Sequence, residues 1–210
     1  MPVMRAQTAA SAAKSHPESS SVPVADVPVA AATAPPEVVA SAVAAVQKLG
    51  AEVVKGHYQV AIDRMVPLWK ERMAKRMGGM EELQKQLAGL AEQMSQQGVS
   101  MISFKPDGEA HSFEVWPGKK KTVVDGKETE DLIYTKWLVI IPTVTQFRIM
   151  KDREFHIIES RGFQVAVADK GANDWTFIDG SGVTVADLRS LFLTLPADVE
   201  LPPIERREVR

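Results

Sequence analysis

Apolar residues recur along this chain at two spacings, and the change from one to the other falls at Gly98. Before it the spacing is helical. From Glu37 to Lys55, Val39, Val43, Val46, Leu49 and Val53 line one face behind Pro35 and Pro36, and Gly56-His57 closes the segment. A second helical pattern runs through Tyr58, Ile62, Met65, Trp69, Met73 and Met77, with Pro67 inside it. An interior proline costs a helix about 3 kcal/mol. The pattern therefore predicts a short helix ending near Met65 and another with Pro67 in its first turn, closed by Gly78-Gly79. Met80 to Gln97 reads as a further helix, with Leu83, Leu87, Leu90 and Met94 on one face.

After Gly98 the period drops to two. Val99 to Phe104 and His111 to Trp116 read as strands, separated by the Asp107-Gly108 turn signal. Lys119 to Asp131 is charged and turn-like around Asp125-Gly126. The strand from Ile133 to Met150 has the longest run of β-branched and aromatic residues and reads as the centre of a sheet. Its odd positions Ile133, Trp137, Val139 and Ile141 make an apolar face, while Tyr134 and Lys136 give way to Leu138 and Ile140 on the other. Phe155 to Ile158 and Phe163 to Ala168 read as one strand bent at Arg161-Gly162, followed by a hairpin to Trp175–Ile178. Thr184-x-x-Asp187 has the form of an acidic capping box, opening a short helix through Leu188, Leu191 and Phe192 that Pro196 stops. Helices followed by antiparallel strands make the class α+β.

Composition adds boundaries and exclusions. Residues 1–36 are rich in Ala, Ser, Pro and Val and lack aromatics, so they read as a disordered tether. One domain spans 37–203, and 204–210 reads as an exposed charged end. A formal charge of −2 gives no global pull toward nucleic acid or acidic lipid. The absence of cysteine removes disulfides, thiolate metal sites and cysteine nucleophiles. No apolar run approaches the roughly 18–20 residues needed to span a bilayer. Met1 to Ser15 carries no hydrophobic segment of the signal-peptide kind.

The phrases GHYQVAIDRMVPLW, RMGGMEELQKQL, QGVSMISF, LVIIPTVTQ and VAVADKGANDWTFIDG, in that order, resemble an uncharacterised family of secreted or envelope-associated bacterial proteins. The order of elements is similar to the nuclear-transport-factor-2-like (NTF2-like, or cystatin-like) cone, in which N-terminal helices pack into a curved antiparallel sheet. The resemblance covers roughly residues 38–203; Val66 stands where an aromatic is usual, and Ala168 replaces a serine. It implies a fold and a secreted or periplasmic compartment, but no activity. Catalytic members of the cone superfamily place an Asp, His or Tyr in the sheet hollow, whereas here the inward positions are almost all apolar. Such cones often dimerise through the outer sheet surface, where Leu138 and Ile140 would form an apolar patch unless a loop or the C-terminal helix covers them.

His16, His57, His111 and His156 show no H-x-x-x-H spacing, and no nucleophile elbow, phosphate loop or dinucleotide fingerprint occurs. Trp69, Trp137 and Trp175 are expected in the core, and Trp116, beside Pro117-Gly118, is the tryptophan suited to a surface role. Lys70, Arg72, Lys75 and Arg76 with Lys119-Lys120-Lys121 read as solvated faces, because no base-stacking aromatics are interleaved. The expectation is a non-enzymatic binding module for a small apolar ligand or a protein partner. Its candidate contacts are Tyr58, Trp69, Trp116, Tyr134 and His156; no catalytic residue, metal ligand or cofactor is assigned. The alternative is an isomerase or cyclase using a polar residue in the hollow.

Overall fold

A computed structural model describes residues 33–124 and 127–209. Four helices come first: α1 (Pro36–Val54), α2 (Gln59–Asp63), α3 (Pro67–Met77) and α4 (Met80–Gln96). Prolines open α1 and α3, where their missing N–H groups would have no helical partner anyway. Gly78, at φ 93°, closes α3 in the left-handed conformation. The strands are β1 (Val99–Pro106), β2 (His111–Val124), β3 (Lys127–Lys151), β4 (Glu154–Asp169), β5 (Thr176–Asp179) and β6 (Glu205–Val209). A 3-10 turn (Gly180–Gly182) and α5 (Val185–Leu191) lie between the last two strands. The Thr184–Asp187 capping box that the sequence predicts is present at α5. The architecture is α+β, with helices on a curved antiparallel sheet.

Two long strands form the spine of that sheet. β3 and β4 pair without a break from Lys151 and Glu154 to Lys136 and Asp169. β1 and β2 lie end to end along the other edge of β3, and β5 and β6 share the other edge of β4 in the same way. The edge of β5 is capped in turn: Phe177 N–H donates to Arg64 O, and Val66 N–H donates to Phe177 O.

Each sheet face is buried by different helices. Trp137, Val139, Ile141, Ala166, Ala168 and Phe177 pack with Ala42, Val46 and Leu49 of α1. Small residues on both sides let the helix lie close, and a Cβ at Gly50 would sit 2.1 Å from the Phe104 ring. On the opposite face Leu138, Ile140, Val165, Val167 and Ile178 pack with Trp69 of α3 and with Leu188, Leu191 and Phe192. Leu138 and Ile140 are fully buried. The expected dimer patch at these two residues is therefore corrected: α3, α5 and the segment after α5 already cover it. Chain order alone does not place a C-terminal helix, so this cover was not legible from the sequence.

Three boundaries also move. Of the expected tether, residues 1–32 lie outside the described residues. Ala34, however, is buried against the α1 core, and its N–H donates to Ser112 Oγ at 2.9 Å. The charged stretch 119–131 is largely strand: β2 and β3 continue as a two-stranded ribbon beyond the point where β4 stops pairing. The expected turn at Asp125-Gly126 lies outside the described residues. Finally, the charged end is a strand over Glu205–Val209, antiparallel to Ile157–Arg161.

Candidate functional site

The sheet face under α3 and α5 runs out at the root of the ribbon, and aromatic side chains gather there. Val115 sits opposite Lys136 and points into the α3–α5 face. Strict alternation would send Trp116 to the α1 face. Instead its backbone turns left-handed, at φ 67°, which brings the indole back to the side of Val115. Its ring meets Phe192 edge to face, with centroids 6.2 Å apart and planes at 66°. A bulky residue in this conformation costs of order 1–3 kcal/mol and persists only where surrounding contacts over-determine it. Two such contacts are present: the Phe192 ring, and Thr135 Oγ1 donating to Trp116 O at 2.9 Å.

Exposure and charge differ among the neighbours of Trp116 in the chain and in space. Trp116 is 36% exposed and Leu193, next to Phe192, is 78% exposed. Lys136 Nζ lies 5.8 Å from the Trp116 ring centroid and pairs with the Asp169 carboxylate. Tyr134, half-buried, sits opposite Pro117. On the other face the Lys170 ammonium lies 4.5 Å over the Trp137 ring and pairs with Glu114. Each face at this end of the sheet thus carries an indole beside a lysine that a carboxylate holds, Trp116 with Lys136 and Trp137 with Lys170.

The sequence-selected residues divide between this end of the sheet and other places. Trp116 and Tyr134 belong to it. Trp69 lies deeper in the same core, 6% exposed, with the Arg76 guanidinium 5.8 Å from its ring. Tyr58 precedes α2, half-buried. His156 stands near the turn end of β4, with Nδ1 2.7 Å from a Glu208 carboxylate oxygen. The five do not form one site. Phe192, Leu193, Lys136 and Asp169 were missed. Phe192 and Leu193 carried no usable signal, because the position of α5 is a tertiary outcome.

A second surface feature, an open cleft of about 480 Å³, separates α3 from α5 and is lined by Leu68, Glu71, Arg72, Lys75, Arg76, Ser190 and Leu191. Arg72 donates to Ser190 Oγ at 2.6 Å and Arg76 lies 3.3 Å from the Asp187 carboxylate. The Thr184 hydroxyl, followed by Arg76, holds that carboxyl below its ordinary range. The basic residues of α3 are thus partly neutralised from α5. Lys119 and Lys121 pair with Glu130 and Glu128 on the ribbon.

The chain matches no family model, no curated protein and no solved structure.

Chemistry is constrained by what is buried. Among the described residues the buried polar side chains are Thr143, Thr145, Glu159 and Gln164. Gln164 donates to Asp179 at 3.0 Å, and Glu159 accepts two bonds from Arg207. The Glu159 carboxyl is held below its ordinary range chiefly by those bonds. Of these four, Glu159 is the titratable one. Among the described residues no group of three or more His, Asp or Glu is placed to hold a metal ion, and no helix is long and apolar enough to cross a membrane.

Proposed function

We propose that the chain is a non-enzymatic binding module that engages an apolar ligand or partner segment through the partly exposed indole of Trp116, which is seated on buried Phe192 with Tyr134 close by at the root of the ribbon. The single observation carrying this reading is Trp116. Its costly left-handed backbone leaves an indole partly in solvent, where an extended conformation would have turned the ring to the α1 face. Lys136 beside it is paired with Asp169, so the apolar face of the indole carries the recognition. The α1 face supports the non-enzymatic side of the reading, since it is filled by helix and its buried polar residues are threonines and a glutamine. The NTF2-like relationship and a secreted or periplasmic location remain part of the proposal and rest on sequence likeness.

Anilinonaphthalene sulfonate, an aromatic anion, is a direct probe. The native chain is expected to enhance its fluorescence, and Trp116→Ala is expected to reduce that enhancement several-fold while circular dichroism stays unchanged. Enhancement that is absent from the native chain, or equal in the folded variant, would remove the Trp116 indole as a binding surface.

A further inference from the structure

β6 is held by a short ladder and by charged contacts, with little apolar packing of its own. β6 contributes little to either core: Glu205 to Glu208 are exposed and Val209 is half-buried. Its attachment is a five-residue ladder to β4, from Ile157 opposite Val209 to Arg161 opposite Glu205. Two charged contacts lock that register. Arg207 donates from Nε and Nη2 to the same oxygen of buried Glu159, at 3.0 and 2.6 Å. His156 Nδ1 meets Glu208 at 2.7 Å. Arg161 Nε stands 3.5 Å from Glu159 as well, and its guanidinium reaches Asp107 at 3.3 Å.

An element that buries almost no apolar surface opens locally at low free energy. Opening leaves the Ile157–Arg161 edge with unpaired N–H and C=O groups and Glu159 with only part of its cationic partner set. Both features select a strand with arginine at one position, and the chain carries one. The connection to β6 suits an exchange. Leu201 packs against the core, Pro202-Pro203 follows, and Ile204 is 49% exposed. Two consecutive prolines make the connection to β6 stiff and extended, so the strand can leave as a unit.

We propose that β6 exchanges between copies, the C-terminal strand of one chain pairing with the β4 edge of a second in the register seen here. Each junction in the exchanged dimer repeats a junction of the single chain, so the cost is confined to the hinge and to association. This surface is separate from the Trp116 indole and does not depend on it.

The test uses full-length chains with reciprocal charge changes. Glu159→Lys sets an ammonium against the Arg207 guanidinium within its own chain, and Arg207→Glu sets a second carboxylate against that of Glu159. Mixed in equal amounts, the two variants can make complementary junctions only by exchanging strands. Sedimentation should give each variant alone the 23.0 kDa mass of one chain and the mixture twice that mass. A chain carrying both changes should behave as wild type. A mixture that stays at the single mass while both variants keep the wild-type circular dichroism overturns the proposal. Should either variant unfold, Ser160→Cys with Arg206→Cys decides, because these positions are direct partners and the chain has no native cysteine. Under oxidation, disulfide-linked dimers that increase with protein concentration support exchange. Disulfides confined to single chains at every concentration overturn it.

Discussion

The two halves of β3 solve the same problem by different physics. From Lys136 onward the strand lies between β4 on one edge and β1 or β2 on the other, and Leu138 to Ile141 are all essentially inaccessible. Both faces are apolar there, because α1 covers one and α3 with α5 covers the other. From Lys127 to Tyr134 the same strand has β2 alone for company, and Leu132 is 47% exposed. An isolated two-stranded ribbon is marginal in water. Cross-strand pairs of Lys119 with Glu130 and Lys121 with Glu128, and the Thr122–Thr129 hydroxyl contact, take the place of a core. Burial makes one half a scaffold, and charge pairing keeps the other extended and soluble. Lysines and a proline along β2 also discourage foreign strands from pairing with its open edge.

The contrast can be broken most severely at the trunk. Trp137→Ala is expected to destabilise the chain by about 3–5 kcal/mol and Leu138→Ala by about 2–5 kcal/mol, measured by denaturant unfolding. A cost below about 1 kcal/mol at either position would mean that its face is not a packed core. Next comes the cover. Thr184→Ala removes the α5 capping box and is expected to cost about 0.5–2 kcal/mol, with the largest rise in hydrogen exchange in α5.

Acid should act on the cover and on the helix ends, where carboxyls are depressed. Glu52 is lowered to about 2 by hydrogen bonds from Lys55 and then His57, and Asp187 is lowered chiefly by Thr184. A carboxyl whose folded pKa lies below its unfolded value contributes stability that is fully present above the unfolded value, about 4. That contribution is lost as pH falls through the folded value. Stability is therefore expected to hold near neutrality and to decline below about pH 4. Asp187→Asn should flatten that decline, and an unchanged acid profile would remove Asp187 from the account.

The smallest effect is expected in the ribbon. Lys119→Ala with Lys121→Ala should leave the melting temperature within error, because exposed pairs contribute little to global stability. Amide exchange over 119–132 should nevertheless quicken, and high salt should reproduce the change in the wild type. A clear drop in melting temperature would show that the ribbon belongs to the cooperative core.

Much of the trunk was legible because period-two and period-3.6 patterns are local. The four N-terminal helices, the central strand, the core roles of Trp69, Trp137 and Trp175, and the Thr184 cap were all visible in the residues. What stayed hidden depends on distant partners. Leu138 and Ile140 look like a free face until α3 and α5 are placed over them. The stretch from Lys119 to Asp131 has loop composition, and only its cross-strand register reveals a ribbon. Glu205 to Val209 reads as a solvated end until Glu159 is seen to hold Arg207. The candidate site was half visible: Trp116 was marked by the adjoining Pro117-Gly118, whereas Phe192 was known only as part of a helix without an address.

The β3–β4 connection sets more than a bend. Asp152 and Arg153 both have positive φ, at 52° and 70°, which closes the hairpin in two residues and starts a ladder of uninterrupted pairs. A slip of one residue at that point would invert every later side chain of β4. Val165 and Val167 would then face α1, while Ala166 and Ala168 would meet α3 and α5. The alanines fit only where a helix lies close, and the valines fill the wider layer. The two helical layers thus act as a gauge: a misregistered hairpin finds one side too crowded and the other too empty. Proofreading of the fold is carried by the alternation of small and branched side chains along a single strand.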